Sequence, residues 1–123
     1  MTDARRSLGI AGESAACLHL ERQGYRILAR NARVDRVELD IVAERAGVIV
    51  FVEVKTRRTA EFGDAAESVD ARKRARLARG AAAWLRASER HPRRVRFDVV
   101  TCEAAPGGAF RVTHWEGAFD AGD

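Results

Sequence analysis

Glu38-Leu-Asp-Ile-Val-Ala-Glu-Arg-Ala-Gly-Val-Ile-Val-Phe-Val-Glu-Val-Lys55 reads as two strands and the turn that joins them. From Val37 to Glu44 the chain alternates, with Val37, Leu39, Ile41 and Ala43 expected on one face and Glu38, Asp40, Val42 and Glu44 on the other. Val48 to Arg57 is dense in β-formers. Val48, Val50, Val52 and Val54 share one face there; Ile49, Phe51, Glu53 and Lys55 share the other. A two-residue turn at Ala46-Gly47 pairs Arg45 with Val48. Continued along the ladder, that register sets Asp40 opposite Glu53 and Glu38 opposite Lys55, with Cβ atoms about 4.5–5.5 Å apart. A three-residue loop without a bulge would set Asp40 against Val52 and scatter the four polar groups.

Working outward, Ser7 to Gln23 reads as a helix, with Leu8, Ala11, Ala15 and Leu18 at helical spacing and Gly24 as its left-handed stop. Tyr25 to Val34 is a strand in which Tyr25, Ile27 and Ala29 alternate with Arg26, Leu28 and Arg30. Thr59 to Glu67 is a polar loop. Val69 to Arg90 is a longer helix closed by Pro92, and Arg94 to Cys102 and Ala109 to Glu116 are strands around the turn Ala105-Pro-Gly-Gly108. The predicted order αβββαββ gives an α/β fold with a mixed central sheet flanked by helices. At 123 residues the chain is expected to be one domain, residues 1–123 with a core over about 7–119.

The charge of +4 leans towards an anionic partner. Cys17 and Cys102 form no Cys-x-x-Cys pair and are expected to be reduced core residues; His19, His91 and His114 match no zinc spacing. No apolar run approaches the roughly 20 residues of a membrane span, and the first residues lack the apolar stretch of a signal peptide. A cytoplasmic protein is the expectation.

Of 22 basic residues, all but Lys55 and Lys73 are arginine. A lysine kept against that bias sits where a compact, titratable point charge serves and a permanently charged planar fork does not. Two carboxylates within a few ångströms repel each other and recruit a hard divalent cation, and Mg²⁺ takes one or two carboxylates while keeping several waters. Asp40, Glu53 and Lys55 on adjoining strands are therefore the set a metal-dependent phosphodiester hydrolase needs, with Mg²⁺ or Mn²⁺ as cofactor. Glu13 is a further carboxylate within reach. A plain cross-strand ion pair between Glu38 and Lys55, worth about 0–1 kcal/mol, is the bland alternative.

The segment from Asp70 to Arg96 carries a net charge near +8 and the remainder near −4. On a helical wheel Arg72, Arg76, Arg79, Arg86 and Arg90 form one stripe, opposite a buried face of Leu77, Gly80, Ala81 and Trp84. Lys73 heads that buried face and points at the sheet. Such a stripe is often only a solvated face, but its density suits a phosphate backbone. Arg30, Arg33, Arg57 and Arg58, beside the carboxylates, are nearer candidates for the scissile phosphate. Trp84, Phe97 and Phe51 read as core, which leaves few aromatics to stack on bases.

Gly9-x-x-Gly12-Glu13, Arg30-Asn31, Glu38-Leu-Asp40-Ile-Val, Phe51-Val-Glu-Val-Lys-Thr-Arg57, Phe62-Gly63, Lys73 and Arg96-Phe-Asp-Val-Val100 occur in that order. As an ordered set over nearly the whole chain they resemble the YraN family. That family is similar to the archaeal Holliday-junction resolvases of the PD-(D/E)xK nuclease superfamily. The resemblance implies a restriction-endonuclease-like core, with Asp40 and Glu53 as metal ligands joined by the Val54 carbonyl. It implies Lys55 as the catalytic lysine and Glu13 as the helical acidic residue of the resolvase-like branch. Leu39 stands where the superfamily often has proline. The expected activity is endonucleolytic cleavage of DNA, including branched or structured DNA, and symmetric cutting of a junction would call for a homodimer. The alternatives are a nucleic-acid-binding module of the same fold without cleavage, or an interaction protein whose basic helix docks an acidic partner.

Overall fold

The computed structural model describes residues 3–58 and 69–119. The elements are α1 (Asp3–Arg22), β1 (Arg26–Val34), β2 (Val37–Arg45), β3 (Val48–Arg57), α2 (Ala71–Ser88), β4 (Arg94–Ala104) and β5 (Phe110–Phe119). The expected order αβββαββ is the observed one. The strands form one sheet in the order β1-β2-β3-β4-β5, antiparallel except for the parallel pair β3–β4 that α2 connects. The predicted loop Thr59 to Glu67, with Phe62 and Gly63, lies outside the described residues.

Both hairpins at the start of the sheet are two-residue turns with positive φ at each central position, Asp35-Arg36 and Ala46-Gly47. That conformation matches the twist of the flanking strands. Arg45 pairs with Val48 and the ladder runs down to Ile41 against Val52, as the two-residue turn predicts.

One apolar cluster lies under α2 and holds Val42, Ile49, Phe51, Leu77 and Phe97; the other lies under α1 and holds Ala16, Leu20, Ile41, Val50 and Val52. The alternation expected for β3 is observed. That expected for β2 is not. Ile41 and Ala43 face α1, but Val37 and Leu39 pack against α2, so the strand changes face at Asp40. β1 slips likewise by a bulge between Ile27 and Ala29, which turns Ala29 to the α2 side, away from Tyr25 and Ile27. The edge of the sheet is therefore twisted, and a strict period of two cannot follow a bulged strand.

The helix α1 begins at Asp3, before the expected Ser7, and ends as expected. The amides of Gly24 and Tyr25 donate to the carbonyls of Glu21 and Leu20, with Gly24 at φ +90. Its buried residues are Gly12, Ala16, Cys17 and Leu20, while Leu18 is exposed, so the expected stripe is rotated by about one residue. Close approach explains the rotation. A Cβ at Gly12 would collide with Thr56 Oγ1 and stand 2.9 Å from Thr56 Cβ, so only small residues fit beneath the helix there. Gly12→Ala is accordingly expected to destabilise the protein by about 1–3 kcal/mol in urea denaturation, with Thr56→Ala in the same chain restoring part of the loss.

α2 starts at the N-cap Asp70, whose Oδ1 accepts from the Lys73 amide at 2.9 Å. It stops three residues before Pro92, where Glu89 takes the left-handed conformation and the Arg90 amide donates to Leu85. Gly80 lets the helix seat on β2, since a Cβ there would meet Val37 Cγ1 at 2.7 Å. That seating holds the first turn of α2, with Lys73, above β3.

Candidate active site

The site lies where β2 and β3 part. Continuing the ladder past Ile41–Val52 would pair Leu39 with Val54, but the Val54 amide donates instead to Asp40 Oδ2 at 2.9 Å. A carboxylate thus takes the place of a backbone acceptor at the point where β2 changes face. The amide and carbonyl of one strand residue point to the same edge, so the Val54 carbonyl also faces the gap beside Asp40.

Glu53 follows on the α2 face. Its Oε1 lies 2.6 Å from Lys73 Nζ and 3.6 Å from Lys55 Nζ, so one carboxylate holds the only two lysines of the chain. Lys55 therefore pairs along its own strand with Glu53, and the bland expectation of a Glu38–Lys55 pair gives way to this arrangement. Lys73 on the buried face of α2 reaches the same site, as its position on the helical wheel implied.

Asp40 shares with Glu53 an open cavity of about 360 Å³, whose rim carries Arg33, Arg36, Lys73 and Arg76. Burial, and then the charge of Glu53, push the Asp40 carboxyl up to about 7. Burial and the neighbouring Lys73 lower the pKa of Lys55. Burial works against the charge of Lys73, but Glu53, Lys55 and Asp40 together outweigh it and raise its pKa. Glu13 reaches the fork from α1, beside Asp40 and Val54. Its Oε1 is buried without a hydrogen-bond partner, and burial raises its pKa. Gly12, by drawing α1 onto Thr56, is what places it there.

This donor set fits a hard divalent cation. Asp40 is ionised at a cost that a cation would remove, and Glu13 has a buried oxygen without a donor. Among the described residues no three acidic, histidine or cysteine side chains close around one point. Asp40, Glu53 and the Val54 carbonyl would supply part of a shell and leave the rest to water, which is how Mg²⁺ is commonly held.

The basic residues expected to contact nucleic acid divide. Arg33, Lys73 and Arg76 border the carboxylates, and Arg36, in the β1–β2 turn, joins them although its position in the sequence gives no sign of it. Arg30 lies near Glu13 and its guanidinium donates to Ser14 Oγ at 3.3 Å. Arg57 ends β3 and Arg58 follows it, and neither lines this cavity. Arg72 and Arg86 are exposed on α2, whereas Arg79 is tied to Asp35 at 3.1 Å and Arg90 lies 4.0 Å from Glu44.

A buried polar network on the other face of the sheet is absent from the sequence expectations. Asp98 is fully buried and accepts from Arg96 Nε and Nη2, both at 2.8 Å, and from the Gly117 amide at 2.9 Å. His114 Nε2 lies 2.6 Å from its Oδ2, and Arg96 also donates to the Tyr25 hydroxyl. The only sequence signal is an aspartate inside an apolar strand, Phe97-Asp98-Val99.

The family model described as "Uncharacterised protein family UPF0102" matches residues 12–102. The chain belongs to this family. A UPF0102 protein of Symbiobacterium thermophilum is 47% identical over 116 residues, 94% of this chain and 98% of that protein. One from Corynebacterium efficiens is 46% identical over 122 residues and covers 98% of both. The UPF0102 match spans Glu13, Asp40, Glu53, Lys55, Lys73 and Asp98. Among solved structures, Pyrococcus furiosus SfsA in complex with Ca²⁺ aligns over 91% of this chain and 63% of its own, at 18% identity and a TM-score of 0.44. That likeness is too distant to bear on the site. Among the described residues no helix is long and apolar enough to cross a membrane.

Proposed function

We propose that this UPF0102 protein is a metal-dependent endonuclease that hydrolyses phosphodiester bonds of DNA. The observation that carries the reading is the pairing of Asp40, pushed up to about 7 beside Glu53, with two lysines gathered on Glu53 and a rim of arginines around the cavity they share. A protein that only bound DNA would gain nothing from two carboxylates held against its phosphates.

When bound, Mg²⁺ or Mn²⁺ lowers the pKa of a water and offsets charge developing on the phosphoryl oxygens. Asp40, Glu53 and the Val54 carbonyl would hold the ion. Lys73 keeps Glu53 oriented and stays charged. Lys55, a point charge 3.6 Å from Glu53, would orient the attacking water and offset the charge that develops on the phosphoryl oxygens as the bond to the leaving oxygen breaks. Arg33, Arg36 and Arg76 would hold the phosphates on either side of the scissile one, and Glu13 would order water from the α1 side. The reading is tested by a cleavage assay with EDTA controls on linear, flapped and four-way DNA. Cutting that needs Mg²⁺ or Mn²⁺ supports it; equal rates with and without EDTA would sink it.

The ion binds ionised Asp40, so its binding below about pH 7 must release a proton. Mn²⁺ affinity is therefore expected to fall as pH drops from 8 to 6, approaching tenfold per unit below 7, when followed by electron paramagnetic resonance of the free ion. A flat profile would show that Asp40 is not a ligand.

Phosphate contacts set the salt dependence of binding. Neutralising Arg33 and Arg76 is expected to lower the log–log salt slope by about 0.9 for each phosphate no longer held on duplex DNA, similarly for all sequences. Neutralising Arg72 and Arg86, which are exposed on α2 and do not line that cavity, should change it less. Fluorescence anisotropy at several salt concentrations checks the order, and the reverse order would place the DNA along the outer helix face.

A further inference from the structure

Besides a small internal void of about 10 Å³, Asp40 lines two open cavities. The first, with Glu53, is walled by charged side chains of β1, β2 and α2. The second, of about 390 Å³, opens on the α1 side and is lined by Arg5, Arg6, Leu8, Ile10, Glu13 and Thr56 besides Asp40 and Val54. The two differ in chemistry. The first suits a run of phosphates. The second sets two guanidinium groups beside two aliphatic side chains, a pairing suited to one nucleotide: cations for its phosphate, an apolar wall for its base.

We propose that the α1-side cavity is a nucleoside subsite that receives an unpaired nucleotide adjacent to the scissile phosphate, the DNA strand crossing Asp40 from the charged cavity to this one. The proposal rests on the nuclease reading for the position of the scissile phosphate. Size fits it, because 390 Å³ lies near the lower end of small-ligand sites of about 300–1,000 Å³, room for one nucleotide. A base can enter only after leaving the helix, which costs least where it is already unpaired. Ile10 supports it too. It is 58% exposed, the most exposed large apolar side chain among the described residues, and lies one helical turn from Arg6 on the wall of this cavity. A base laid on Ile10, with the guanidinium plane of Arg6 one turn away against it, would cover that apolar surface whatever the base. The substrate class so defined is DNA with an unpaired nucleotide at the cut, as at a flap or branch point.

The test is binding without metal, followed by fluorescence anisotropy, of three DNAs: a fully paired duplex, the same duplex with a single-stranded flap, and that flap with abasic positions scanned across the branch. The wild-type protein is expected to bind the flap about tenfold tighter than the duplex and to lose most of that gain at one abasic position. Ile10→Ser, on an exposed residue whose loss leaves the fold intact, should lose a similar factor on the flap, none on the duplex, and nothing further at the abasic position. Equal losses on all three DNAs, or none, would overturn the subsite. Cleavage with Mg²⁺ is scored separately. A protein that cuts DNA but is indifferent to Ile10→Ser loses only the subsite. One that never cuts but shows the Ile10-dependent flap preference keeps the subsite and loses the nuclease reading.

Discussion

Asp40→Asn is expected to lower metal-dependent DNA cleavage by roughly 10³-fold or more, beyond the 10–100-fold that removing a group which merely supports a ligand costs. The substitution is cleaner than Glu53→Ala. Asparagine keeps an oxygen to accept from the Val54 amide, so the fork between β2 and β3 stays closed, whereas Glu53→Ala would leave Lys55 and Lys73 facing each other without a counter-charge. Stability gives a second readout with a definite sign. The folded state holds the Asp40 carboxyl up to about 7 against an ordinary value of 3.8, so it binds more protons than the unfolded chain between those limits. Wild-type stability attributable to Asp40 therefore falls as pH rises from about 4 to 7. The side-chain amide of the variant does not titrate, and above pH 7 the variant should be the more stable by up to about 4 kcal/mol, an advantage that vanishes near pH 4. Near-wild-type cleavage by the variant would remove Asp40 from the chemistry. Lost cleavage with lost stability at pH 8 would instead mean that the carboxylate serves the fold.

The turn and the strands around it are legible because Ala46-Gly47 leaves one short loop that sets the register, although the ladder ends at Ile41–Val52, one pair short of the expected Asp40–Glu53 and Glu38–Lys55 oppositions. Local sequence sets such a register, and the structure follows it from Arg45–Val48 to Ile41–Val52. The change of face at Asp40 is not legible. It comes from twist and bulging shared between β1 and β2, and Leu39 and Ile41 look interchangeable to any rule of period two. The rotation of α1 is hidden for a related reason. Leu8 and Leu18 make a better apolar stripe than Gly12 and Ala16, but the gap beneath the helix at Thr56 admits only the smaller residues. That same rotation gives Glu13 its place beside Asp40 and leaves Ile10 outside. Lys73 reads onto the buried face of α2, and its contact with Glu53 follows from the seating of Gly80 on Val37. The Asp98 network cannot be read from spacing at all, since Tyr25, Arg96, Asp98 and His114 come from three separate strands and strand ends.

Asp98→Ala is expected to cost about 3–5 kcal/mol, a large part of the roughly 5–15 kcal/mol that stabilises a domain of this size. The reason is the environment it would leave behind. Arg96 is 16% exposed and His114 9%, so removing the carboxylate strands a guanidinium, an imidazole and the Gly117 amide where water cannot replace it. Burial alone would raise the Asp98 pKa; His114, Arg96 and the Gly117 amide outweigh it and lower it below the ordinary carboxylate value. A lowered folded pKa means stability that is fully present above about pH 4 and lost as pH falls below it, so acid unfolding of the wild type should begin there. The variant should already be destabilised at neutral pH and should lack that acid step. Asp98→Asn, which keeps an acceptor but no charge, should fall between the two. Phe97 and Val99 face α2, so Asp98 projects to the side of the sheet away from Glu53. Mn²⁺ affinity of the folded variant should therefore match the wild type. Urea midpoints of Asp98→Ala within about 0.5 kcal/mol of wild type would show that the network is incidental, and a loss of metal affinity in the folded protein would tie it to the site across the sheet.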